Sequence, residues 1–174
     1  MLGEAGADKA TVRALNRSLD QTATQTSREI RKVYNIRHKA VMAALKKIRA
    51  AKNRHWATLR IQGARIPLIE FDARWRPWQK VGATVRVKVG GPRKAVAHAF
   101  IAAATRNNYR GGGSAGMLQV FRRVGASQYP IRNLRSLSLP QAFANQVVLA
   151  AVKKVAGESF AKNLLQQIKY LGST

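Results

Sequence analysis

Glu70 and Asp72 are the closest acid pair away from the chain's ends. At spacing two on a strand they would share one face, the arrangement a metal site or an acid/base pair requires. Arg60, Arg74, Arg86 and Lys88 are natural cross-strand partners for them, so ion pairing is the preferred reading. The histidines, His38, His55 and His98, are scattered without HxxxH or HxH spacing and read as surface or packing residues. Cysteine is absent, which excludes disulfides, thiolate metal sites and cysteine nucleophiles. VGGPRKA and YRGGGSAG are glycine-rich but lack the GxxxxGK[ST] spacing that cradles phosphate at a helix start. No Ser–His–Asp order assembles from so few acids. The expectation is a protein that is not an enzyme, with no cofactor and no metal.

Tryptophan and arginine carry a second kind of chemistry. Trp56, Trp75 and Trp78 stand among Arg54, Arg74, Arg76 and Lys80. Such interleaving can stack on single-stranded nucleic acid or anchor a protein interface. Trp75-Arg76-Pro77-Trp78 falls between expected strands, where a loop presents it outward, and the protein interface is preferred. The loop from Thr105 to Gly116, rich in Gly, Asn and Ser, is read as a hairpin tip. Its Tyr109 and Arg110 join Trp75 and Trp78 as candidate protein-interface residues.

The strongest signal is charge. The 174 residues hold 32 Lys+Arg against 7 Asp+Glu, a net +25. Solubility rarely needs a magnitude above ~8, so contact with nucleic acid or residence in a nucleic-acid-rich assembly is the expectation. The excess concentrates between Ser27 and Arg54, where Arg28, Arg31, Lys32, Arg37, Lys39, Lys46, Lys47, Arg49, Lys52 and Arg54 face the single acid Glu29. These ten residues are the candidates for facing DNA or an acidic partner; a solvated helix surface is the competing account. No apolar run reaches the ~20 residues of a membrane span, and the N-terminal residues lack a basic-then-apolar leader pattern. A soluble protein assembled inside a cell is expected.

The elements that must position these residues follow from periodicity. Val12, Leu15, Leu19, Ala23, Ile30 and Val33 mark one stripe of a helix from about Asp8 to Tyr34. Its middle, DQTATQTS, is poor in large apolar residues and is expected to be half buried or covered by a close neighbour, such as another subunit. Asn35 can cap either flanking helix. A second, basic helix is expected from Ile36 to Ala51, with Val41, Ala44, Leu45 and Ile48 inward. From Ala57 the period becomes two, predicting strands at 57–62, 69–74 and 84–89, with a turn at Gly90-Gly91-Pro92. Val96–Ala103 reads as a buried strand, a short helix remaining open, and Met117–Val124 as a fifth strand. Pro140 opens a C-terminal helix to about Leu171, with Gly157 a possible kink. With neither repeats nor a clear linker, the whole reads as a single α+β domain, residues 1–174: helices over 8–51, a small mostly antiparallel sheet over 57–124, and a helix over 140–171.

The ordered set ALNRSLDQTATQTSREIRKVYNI, IPLIEFDAR, GATVRVKVGGPRKAVAHAFIA and MLQVFRRVGASQYPIRNLRSLSLPQAFANQVV, within Ala14–Val148, resembles the phage minor tail protein Z family, tail-completion and neck proteins of long-tailed bacteriophages. The basicity and the Gly111–Gly116 loop depart from what the family needs. The resemblance implies a structural virion protein without catalytic residues, built in the host cytoplasm, that completes the tail and helps join it to the head. It implies a homo-oligomeric ring, a hexamer being favoured, in contact with neighbouring neck and tail proteins around the genomic DNA passage. The alternative is a freestanding, sequence-independent nucleic-acid-binding protein.

Overall fold

The computed structural model describes residues 4–78, 81–104 and 117–172. It is an α+β protein, with a long helix near each end and small antiparallel sheets between. The chain forms two compact units. Unit 1 takes Met1–Ile30, His38–Gly63 and Leu139–Thr174; unit 2 takes Arg31–Arg37 and Ala64–Ser138.

In unit 1, α1 (Glu4–Val33, whose last turn belongs to unit 2) is one unbroken helix of 30 residues. Of the expected stripe Leu19, Ala23 and Ile30 are buried, Val12, Leu15 and Val33 are only half-buried, and Ala10 and Ala14 join the core instead. Thr26 and Ser27 are buried too, with Thr26 donating to the Thr22 carbonyl and Ser27 bonded to His38. The polar middle of α1 is therefore half buried: Ala23, Thr26 and Ser27 face inward, while Gln21 and Thr24 are exposed.

The expected basic helix to Ala51 is not formed. Helix α2 covers His38–Ala44, and the chain then turns into strand β1 (Leu45–Ile48). β1 pairs antiparallel with β2 (Thr58–Ile61), from Leu45 opposite Ile61 to Ile48 opposite Thr58. Reciprocal backbone bonds between Ala51 and Arg54 close a turn at Lys52-Asn53. Asn16 on α1 acts as a substitute strand, its side-chain amide bonding both the N–H and the carbonyl of Ala50. AALKKIRAAK has good helix formers, and long-range pairing overrides that weak preference.

The single expected C-terminal helix is two, α3 (Leu139–Phe143) and α4 (Gln146–Gly172). The break is at Asn145, whose side-chain oxygen accepts the Val147 N–H as an N-cap. α4 continues as helix through Gly157. Its buried residues are Val148, Val152 and Asn163. Asn163 donates to Ser18 Oγ and Gln21 Oε1, both at 2.9 Å, fastening α4 to α1 by polar contacts.

Unit 2 holds the remaining strands. β3 (Arg65–Pro67) pairs with β9 (Arg135–Ser138), and β4 (Ala83–Val85) with β5 (Lys94–Val96). β6 (Ala99–Ala103), β7 (Leu118–Arg123) and β8 (Ile131–Asn133) form a three-stranded sheet, each neighbouring pair antiparallel. Val96–Ala103 is thus strand rather than helix, interrupted by a tight turn at Ala97-His98. The strand expected at 69–74 is absent. Leu68–Glu70 is a 3-10 turn, Phe71 is fully buried, and Asp72 takes a left-handed φ of 50° that bends the chain. The strand expected at 84–89 stops early because the ladder changes partner. After Val85 the backbone bonds to the end of α1 and beyond, Val87 accepting from Asn35 and Val89 donating to Val33. Trp75, Phe100 and Phe121 form a row with ring centroids 6.3 and 6.1 Å apart.

Candidate functional site

The ten candidate cations do not behave as one set. Arg31, Lys32 and Arg37 belong to unit 2 and the other seven to unit 1. In unit 1, Lys47 Nζ lies 2.7 Å from Asp20 Oδ1, and Arg49 reaches both Asp20 oxygens at 3.1 Å. The Lys47 hydrogen bond, with Arg49 beside it, holds the Asp20 carboxyl below the usual carboxylate range, against a smaller opposing effect of burial. Arg54 stacks on Trp56 at 4.8 Å, donates to the Arg49 carbonyl, and has a buried Nε with no partner among the described residues. These contacts lie within the β1–β2 hairpin. In unit 2, Arg37 pairs with Glu70 at 3.3 Å.

Arg28, Lys39, Lys46 and Lys52 of unit 1 are exposed, and Arg31 and Lys32 of unit 2 are exposed as well. Lys46 stands opposite Arg60 in the β1–β2 register, and both are exposed. Like charges directly opposite on one face repel. Arg60 was readable from the sequence only as a partner for Glu70 and Asp72. Its place beside Lys46 depends on 45–48 being strand, which the helical spacing conceals.

Glu70 and Asp72 lie at a 3-10 turn and a left-handed bend, not side by side on a strand. Asp72 is paired with Arg74 at 3.5 Å and with Arg93, and Glu70 with Arg37. Ion pairing is what the sequence reading preferred. Of the partners it named, Arg74 alone recurs in these pairs. His55 approaches Asp8 at 3.6 Å and His38 is bonded to Ser27. Among the described residues no three His, Cys, Asp or Glu side chains converge on a common metal position.

The two interface tryptophans separate. Trp75 is half-buried against Phe100, whereas Trp78 is 74% exposed. Tyr109 and Arg110 lie outside the described residues. The sequence reading missed the exposed apolar residues of unit 1. Val147 stands on the first turn of α4 at 70% exposure, and Leu165, Ile168 and Tyr170 are exposed at its other end. Of these, Val147 and Ile168 fall at helical spacing with other apolar residues of the C-terminal helix and so read as core, since periodicity cannot distinguish a core from an interface.

No helix among the described residues is long and apolar enough to cross a membrane. The sequence model of the family described as prophage minor tail protein Z (GPZ) matches residues 2–171. Neither the curated proteins nor the solved structures give a match.

Proposed function

The chain belongs to the prophage minor tail protein Z family, and from that membership we propose that it closes into a homo-oligomeric ring at the head–tail junction. The membership itself carries a structural role in a phage tail, in the virion and among other tail proteins. The finer reading is that the ring, six copies being our choice, completes the tail and surrounds the DNA passage. One observation carries it: Val147, Leu165 and Ile168 are exposed on one side of α4, a helix fastened to α1 by a different side. Apolar side chains standing out on a highly charged protein favour burial against another surface. A second copy of the chain is the occupant proposed, because closed cyclic symmetry is the common way for identical subunits to enclose a passage.

The exposed cations of unit 1, Arg28, Lys39, Lys46 and Lys52, support a DNA-facing role, with Arg60 added by the strand register. They would neutralise phosphate and hold DNA without reading its sequence. Trp78 is proposed as an anchor against a neighbouring tail protein. The residues are proposed to act as one functional domain assembled in the host cytoplasm.

Mass measurement of the purified protein, and imaging of tails that contain it, test the ring. Closed rings on tails are expected even if free protein is monomeric. Single copies on tails would overturn the ring, and a monomer with tight, salt-sensitive duplex binding and no tail incorporation would favour the freestanding nucleic-acid-binding alternative. Lys46→Gln, Lys52→Gln and Arg60→Gln together should weaken binding to unrelated duplexes by a similar factor and flatten its salt dependence. Unchanged DNA binding with failed tail incorporation would assign these cations to an acidic partner instead.

A further inference from the structure

Unit 2 contains a second place where cations oppose each other. In the β7–β8 register Arg122 stands directly opposite Arg132, and both are exposed. Side chains opposite each other in an antiparallel pair sit on one face with Cβ atoms ~5 Å apart, so two guanidinium groups there repel. Arg123, the next residue, stacks over the Phe100 ring at 5.8 Å, and Phe100 is itself held in the aromatic row. His98 completes the group from the turn before β6. These four line one surface concavity of about 540 Å³, whose remaining lining includes the small residues Gly125 and Ala126.

Nothing in unit 2 relieves this concentration of charge. Its sequence holds two acids, Glu70 and Asp72, and they are engaged by Arg37 and by Arg74 and Arg93. The backbone is committed to the arrangement as well. His98 takes a left-handed φ of 57°, a strained conformation for a residue with a side chain. The turn that holds it rests on Gly82, where an added Cβ would come within 2.4 Å of the Val96 carbonyl and 3.2 Å of the His98 nitrogen. β4 approaches so closely that glycine is required there, and the approach fixes where His98 is presented.

We propose that this concavity is a phosphate-binding site and that its ligand is the backbone of duplex DNA. Guanidinium groups match phosphate oxygens with paired N–H donors. Several of them around one depression suit the closely spaced charges of a nucleic-acid strand better than an isolated carboxylate. Contacts that these guanidinium groups make with phosphate carry no sequence information. The site is built from unit 2 residues alone and does not require the ring.

The test uses the full-length Arg122→Gln/Arg132→Gln variant. Binding to two unrelated duplexes is measured against salt, together with thermal unfolding, with and without inorganic phosphate. The expected result is an affinity loss of about tenfold at ~0.1 M salt, similar for both duplexes. The slope of log affinity against log salt should become shallower by ~2, since each lost phosphate contact removes ~0.9. Unfolding of the variant should be unchanged or occur at a higher temperature, because the repulsion is gone. Duplex binding equal to that of the parent would overturn the proposal. So would stabilisation of the parent alone by inorganic phosphate with equal duplex binding, which would assign the site to a small free anion. Incorporation into tails is scored separately: a variant that enters tails normally but binds DNA weakly supports the site, and failure of the parent to enter tails would count against the tail reading alone.

Discussion

Asp20 is where two candidate cations are neutralised, and its protonation should be visible in stability. With Lys47 and Arg49 bound, its folded-state pKa lies below the unfolded value of about 3.8. A depressed carboxyl contributes stability that is present above the unfolded pKa and lost as pH falls through the folded one. Urea unfolding should therefore show this contribution in full near neutrality and lose it progressively below about pH 4. Asp20→Asn should remove that part of the acid dependence, and the effect should be small because the pair is exposed to solvent. Equal pH profiles for parent and variant would show that the pair contributes nothing. Asn163 is the opposite case, a polar side chain 2% exposed with two hydrogen bonds to α1. Asn163→Ala leaves Ser18 and Gln21 short of a donor, and should cost ~1–3 kcal/mol. A lowered midpoint in urea unfolding would report it.

Among the elements, α1 was legible from Asp8 onward, because its apolar spacing and its basic last turn both obey helical geometry. β2 was legible from its period-two alternation, and β6 and β7 lie within stretches read as strands, a short helix having stayed open for the first. β1 was not, because Leu45-Lys46-Lys47-Ile48 fits either period and the decision belongs to Thr58–Ile61 and to Asn16. The bend at Asp72 was hidden by alternation around Phe71, which is buried at a turn rather than on a strand face. The same limit applies to the candidate site. The richness in cations was visible in composition, while which cations remain exposed depends on pairing between distant residues. Gly82 shows how strictly one element can depend on another. Gly82→Ala places a Cβ against the Val96 carbonyl at a φ of +85°. The left-handed conformation alone costs a non-glycine residue ~1–2 kcal/mol, and the clash adds to it. Lower thermal stability is expected, together with weaker duplex binding through displacement of the His98 turn; a variant as stable as the parent would refute the close approach.

For the whole molecule, a net charge of +25 means that the free chain works against its own repulsion. A polyanion that binds the folded protein should therefore raise its unfolding temperature. Heparin is a convenient probe, and no shift at low salt would count against specific use of the charge. The division into units has a further consequence. Unit 1 is drawn from Met1–Ile30, His38–Gly63 and Leu139–Thr174, while most of unit 2 is the continuous stretch Ala64–Ser138. The contact between Ser18 and Asn163 spans 145 residues. Contacts so far apart in sequence are slow to close. On a translating ribosome α1 is made well before its partner α4, and in the interval the face of α1 that receives α4 has no native cover. The nascent chain thus carries an open helix face while the residues between them are made, and a chaperone or ribosome-bound factor is a natural temporary occupant. Pulsed hydrogen exchange during refolding should find amides of β6 and β7 protected before those of α4.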